Sequence, residues 1–434
     1  MISRYRICCF LIAIATAFTG SAGADDDFER PPINYSKAKP NTAVERLQEK
    51  IDAGKLQLSF HEERGYLSSL LNALQVPESS QVLVFSKTSL QRHRISPWAP
   101  RAIYFSDDVY VGFCRVGQVL EISAVDPQLG GVFYTLEQEK SDRPKFVRQT
   151  DACMLCHASS QTRGVPGHVL RSVFTDKTGD PLLTMGSVRV DQSTAIDRRW
   201  GGWYVTGTHG KQTHLGNLFV KNRSDRETAI KNTDGQNVTD LTRFFYTSKY
   251  LTPDSDIVAL LVLEHQTEAQ NLLARAGIQT RLALHQRAIL NKELGLAPNA
   301  FSETAARRIR SVGEPLVRYL LFSEEARLAD KVAGTSTFAA DFVKKGPRDK
   351  KGRSLRDFDL EQRLFRYPCS YLIYSEAFVQ LPGEMKEFVY QHLFEVLTNR
   401  HSGGGFGHLI AGDRQAILEI LRDTKDDLPA YWRN

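Results

Sequence analysis

QVLVFS (81–86), AIYFS (102–106), VYVGFC (109–114), QVLEISAV (118–125) and GVFYTLEQ (131–138) are the segments that decide how this chain folds. Each is rich in β-branched and aromatic residues, and the breaks between them carry Pro97 and Pro100, Asp107 and Asp108, and Gly130 and Gly131. Short apolar runs bounded by turn formers read as strands, and connections this short make neighbours antiparallel. The stretch predicts an antiparallel meander. On its N-terminal side, residues 25–40 (DDDFERPPINYSKAKP) are charged and Pro-rich, which predicts an extended lead-in. Val44, Leu47 and Ile51 then lie at helical spacing before Gly54, and Leu67, Leu70, Leu71 and Leu74 do so before Pro77, predicting two short helices.

On its C-terminal side a polar stretch leads to Cys153-Met154-Leu155-Cys156-His157, a C-x-x-C-H string, with Thr150 or Asp151 placed to cap a short helix carrying it. Two thiols three positions apart can each form a thioether to a haem vinyl group, and the next residue then offers its imidazole to the iron. With 6 Cys and 11 His in 434 residues, chance would produce the string only roughly 0.002 times. In these five residues the chain resembles the c-type cytochromes, specifically large, secreted, single-haem ones. The resemblance implies one covalent haem c held by Cys153 and Cys156, with His157 as proximal iron ligand. It does not imply the surrounding fold, because small cytochromes c wrap haem mainly in helices, whereas here strands flank the motif. HVLRSVF (168–174) and LLTMGSVRV (182–190) surround Asp176-Lys177-Thr178-Gly179-Asp180 as a predicted hairpin. Two readings without haem remain open, a zinc site using Cys153, Cys156 and His157, or a redox dithiol. Zinc lacks its usual second Cys/His pair, and a thioredoxin-like dithiol should follow a strand in a βαβ unit.

The N-terminus points the same way as the motif. Arg4 and Arg6 precede an apolar run from Ile7 to Phe18 and the small-residue site Ser21-Ala22-Gly23-Ala24, the pattern of a secretory signal peptide ending at Ala24. That run is too short to span a bilayer as a helix. Cleavage would leave 410 of the 434 residues, four of the six cysteines and a formal charge of +4 in place of +6. The product is expected to be periplasmic or secreted, with no integral membrane segment. Interspersed acidic and basic residues argue against a nucleic-acid partner. Cys114 and Cys369 are expected to be either disulfide-bonded or both buried.

Beyond the hairpin, residues 200–217 are rich in Gly, aromatics and His, and contain His209 and His214. Glycines let backbone approach a flat ligand, so this is the expected wall of the distal side, with His209 the first choice of sixth iron ligand. The other choices are His214, His265, Met185 and His168. From Asp256 onward the pattern is helical, with Ser255 or Asp254 as cap and Ile257, Leu260, Leu261 and Leu272 on one stripe; Glu264, His265 and Glu268 fall on or beside it. Further helices are expected at 302–328, 383–399 and 412–423. Between them a run of Lys344, Lys345, Arg348, Lys350, Lys351 and Arg353 is either a solvated loop or a steering patch for an acidic redox partner.

These readings combine into an α+β protein, an antiparallel β-rich haem-bearing region followed by a mainly helical C-terminal region. The expected divisions are 1–24 signal peptide, 25–78 lead-in and short helices, 79–220 β-rich haem c region and 221–434 mainly helical region. The expected function is electron transfer through one covalent haem to or from a redox partner protein. The alternative is a haem-dependent oxidoreductase of peroxidase type, with a distal His as acid/base and Arg189, Arg198 or Arg199 stabilising developing negative charge.

Overall fold

The structure, a computed structural model, describes residues 27–221, 231–400 and 403–433. The expected signal peptide lies outside the described residues. The meander is present: β1 (Val82–Val84), β2 (Arg101–Phe105), β3 (Val109–Phe113), β4 (Val119–Asp126) and β5 (Gly130–Glu137) pair antiparallel in chain order. A sixth strand, β6 (Phe146–Gln149), extends the sheet beside β5. It lies in the polar stretch, where Lys145, Arg148 and Gln149 hide the alternation that marks a half-buried strand.

Because side chains alternate across a strand, the register sorts the sheet into two faces. Ala102, Tyr104, Val111, Leu120, Ile122, Val132, Tyr134 and Leu136 line the first, and they share a core with α1 (Ala43–Asp52) and α2 (Leu67–Ala73). Thr42 caps α1, its hydroxyl accepting from Glu45 N at 3.2 Å. On the second face Phe105, Tyr110, Ser123, Phe133 and Gln149 stand opposite one another in a single row across five strands. That row is where the C-x-x-C-H segment sits.

The helical half is organised by α4 (Ile257–Glu293), 37 residues long. Every residue from Ile257 to Leu273 is buried, not the stripe alone, because α4 has the sheet on one side and later helices on the other. Its cap is Asp256, whose carboxylate accepts from Val258 N at 2.8 Å and Ala259 N at 3.2 Å, in place of the expected Ser255 or Asp254. Against it pack α5 (Glu303–Leu320), α6 (Phe338–Lys344), α7 (Glu376–Val379) and α8 (Gly383–Leu397), while α9 (Ala411–Thr424) packs on α8. The helix expected at 302–328 stops at Leu320, since Phe322 and Glu324 take left-handed φ of 57° and 67°. The architecture is α+β, sheet first and helices after. Ile278 and Leu282 of α4 belong to the same core as α1 and α2, so the two halves share their packing.

Cys114 and Cys369 are free and buried, which selects the second of the two expected states. Burial pushes both thiols up to about 12, and only a thiolate reacts readily. Native protein should therefore react with a thiol reagent at neither residue within minutes, while denatured protein labels both; rapid native labelling of either would contradict the packing. Five of the six residues of the basic run are paired with carboxylates of this chain, Lys344 with Asp341, Lys350 with Asp423, Lys351 and Arg353 with Glu419, and Arg348 with Asp357. Those carboxylates neutralise much of the field a steering patch would need.

Candidate functional site

Cys153, Cys156 and His157 occupy one turn, α3 (Met154–His157). Neither Thr150 nor Asp151 caps it through a side chain; Met154 N bonds the backbone carbonyl of Asp151 at 3.0 Å, with Cys153 already helical. Both thiols are free, Cys153 half-buried and Cys156 exposed. Burial raises the Cys153 thiol, Glu121 adds to the rise, and Arg101, paired to Glu121 at 2.6 Å, opposes it.

His157 is gripped at two points by one residue. Its carbonyl accepts from Gly167 N at 2.8 Å, and its Nδ1 lies 2.8 Å from Gly167 O. A carbonyl only accepts, so Nδ1 carries the proton. The lone pair is then on Nε2, which has no hydrogen bond among the described residues. The ring packs 4.5 Å from Phe133 of the cross-strand row. Burial depresses the imidazole's pKa, which favours the neutral ligating form.

The sheet, the motif and α4 are tied together beneath this ring. Asn271 of α4 accepts from His168 N at 2.9 Å and donates to His168 O at 2.8 Å. A Cβ on Gly167 would come within 2.1 Å of Asn271 Oδ1, so this approach requires glycine. Glu268, one turn earlier on α4 and 2% exposed, receives Arg163 at 2.6 Å and Arg189 at 2.5 Å, and Arg189 also reaches Asp191 at 3.2 Å. Glu268 was legible only as a polar residue on an inward helical face; its partners Arg163 and Arg189 lie 105 and 79 residues away.

The expected sixth ligands are scattered. His209 is fully buried on a loop whose Gly207 abuts Ile257, at the first turn of α4. The motif packs near Asn271, fourteen residues further along α4, or about 21 Å at 1.5 Å per residue. His209 Nε2 accepts from Asn237 N at 3.0 Å, and its ring packs 4.7 Å from His214, which in turn meets Trp200. The structure thus corrects the expected placement: residues 200–217 form an aromatic loop over the start of α4, and His209 does not face His157. His265 bonds Gln192 Oε1 and Ser370 Oγ, both at 2.7 Å, as a satisfied core histidine. Met185 lies in a single helical turn, not on a strand, packed against Phe174, Leu182 and Val220. Of the five, His168 alone is brought near, its ring centroid 6.4 Å from that of His157. Phe133 lies 4.5 Å from one ring and 5.8 Å from the other, so the three rings form one cluster, in which His168 Nε2 lies 2.8 Å from Ser123 Oγ. The arginines expected to stabilise charge are committed elsewhere, Arg189 to Glu268 and Arg199 to Glu264 at 2.7 Å, while Arg198 is exposed.

Among the described residues no three Cys, His, Asp or Glu side chains converge as a zinc site requires. No helix among them is long and apolar enough to cross a membrane. Comparison with protein-family models, with curated proteins and with solved structures gives no match.

The buried histidines set an acid limit on the fold. His214 and His265, away from the motif, are each pushed down to about 3 by burial, whereas unfolded they titrate near pH 6.5. Between those values the unfolded chain binds the extra protons, so stability falls as pH falls, by about 3 kcal/mol per pH unit for the two. Glu264 and Glu325, lifted to about 7 by burial, act in the opposite sense between that value and an unfolded value near 4.5. His168 is pushed down to about 3 as well, so one histidine is left unbalanced. Urea midpoints should therefore decline gently from pH 6.5 to 4.5, by at least about 1.4 kcal/mol of stability per pH unit, and fall steeply below; a midpoint unchanged down to pH 4 would contradict the burial of these rings.

Proposed function

We propose that this chain carries one covalent haem c on Cys153 and Cys156, with His157 Nε2 as iron ligand, and works as an exported electron-transfer protein. The observation that carries the reading is the tautomer of His157: Nδ1 is spent on Gly167 O, leaving Nε2 to bind metal beside two free thiols on the same turn. Metal-binding histidines characteristically anchor the other ring nitrogen in this way. The donor set fits the group, which when bound supplies a one-electron redox centre. Phe133 fixes the ring plane, Gly167 fixes the tautomer, and the single turn of α3 holds the two sulfurs on one side. An exported location, periplasmic or secreted, and a redox partner protein belong to the same proposal. The peroxidase alternative is less well supported, because Arg189 and Arg199 are held by buried carboxylates.

Produced with a haem-attachment system, the protein should show a thioether-haem spectrum, cycle reversibly by one electron and turn over peroxide poorly. Rapid peroxide turnover would replace the electron-transfer reading with the enzymatic one. From the placement of the loop, His209→Ala and His214→Ala should leave the absorption spectrum unchanged, whereas His157→Ala should alter it. A conversion to high spin in His209→Ala would contradict the separation described above.

A further inference from the structure

Behind His157 runs an unbroken line of hydrogen bonds. His157 Nδ1 donates to Gly167 O at 2.8 Å; the same peptide unit, through His168 N, donates to Asn271 Oδ1 at 2.9 Å; and Asn271 Nδ2 donates to Glu268 Oε2 at 3.3 Å. Every link points the same way, from the imidazole toward a carboxylate that is 2% exposed. Hydrogen bonds in series polarise one another, and a charged acceptor at the end strengthens the set. Glycine at 167 is what lets Asn271 approach the peptide at all.

We propose that Glu268, acting through Asn271 and the Gly167–His168 peptide, sets the basicity of the His157 imidazole and thereby the reduction potential of the iron it binds. The proposal rests on the haem reading above. Glu268 and Asn271 are positioning residues, since neither touches the iron. Pulling on the Nδ1 proton makes Nε2 a stronger donor, which favours the oxidised iron and lowers the potential. Arg163 and Arg189 moderate the pull by sharing the carboxylate's charge.

The test compares holoproteins of the wild type, Glu268→Gln, Asn271→Leu and the double variant, each first checked for covalent haem on a denaturing gel. The midpoint potential and the NMR resonance of the His157 Nδ1 proton are then measured. Each single substitution should raise the potential and shift the proton resonance upfield. The double variant should move no further than Asn271→Leu alone, because its second break falls in a line already cut. If Glu268→Gln shifts the potential equally in the Asn271→Leu background, the effect is through-space charge and the proposal is overturned. Unmoved potentials in both single variants overturn it as well. Should Asn271→Leu fail to accumulate, Asn271→Ser makes the same break with a smaller side chain. A wild type without covalent haem overturns this proposal together with the reading it rests on, whereas haem present with unmoved potentials overturns this proposal alone.

Discussion

Replacing both Cys153 and Cys156 with alanine is expected to give a folded protein that retains no haem after denaturation. The thiols are the only groups on α3 that can form thioethers, and no second C-x-x-C-H string exists in the chain. Folding should survive. Neither thiol is in a disulfide, Cys156 is exposed and Cys153 is only half-buried, so the substitutions should cost no more than about 1 kcal/mol. On a denaturing gel stained for haem peroxidase activity the wild-type band should stain and the double-variant band should not, while thermal unfolding of the two apoproteins should nearly coincide. A stained double variant would show that the haem is attached elsewhere.

The second large effect lies in the core. Glu264 on α4 is fully buried, accepts from Arg199 at 2.7 Å and from the indole Nε1 of Trp200, and so ties α4 to two adjacent residues more than sixty positions before it. Burial lifts its carboxyl to about 7 against the pull of Arg199 and Trp200. Measured at about pH 8.5, where the wild-type carboxyl is ionised, Arg199→Met should remove the cation and leave a buried carboxyl that must either stay charged without its partner or take up a proton, at a cost of about 3–5 kcal/mol. Replacing Glu264 by leucine in the same chain should recover a good part of the loss, since a matched apolar pair avoids desolvating either charge. Urea denaturation of the three variants checks this; a loss below about 1 kcal/mol in Arg199→Met would mean that the pair is not closed as described.

The meander was readable in the sequence because its strands are apolar and its turns are marked, so local pattern and tertiary outcome agree from Val82 to Glu137. The edge strand β6 was not readable, because a strand with one neighbour needs little apolar surface. Helices α5, α8 and α9 followed their stripes, and only their ends moved, where left-handed residues such as Phe322 stop the chain. At the site, the motif itself was legible from five consecutive residues. Its supporting shell was not: Phe133 comes from β5, Gly167 from the loop after α3, and Asn271 and Glu268 from α4, and no spacing in the chain joins the three. His209 illustrates the limit from the other direction. Glycines beside a histidine promise mobility toward a ligand, yet here they let the loop lie flat against the first turn of α4. Composition of a loop carries no information on which end of a helix it covers.

Whether one haem is held covalently by Cys153 and Cys156 can be read from the intact mass of the denatured wild-type protein made with a haem-attachment system. The expected result is a single species heavier than its processed polypeptide by one haem. A species at the bare polypeptide mass, with stoichiometric zinc in the native protein or a disulfide between Cys153 and Cys156, would contradict it.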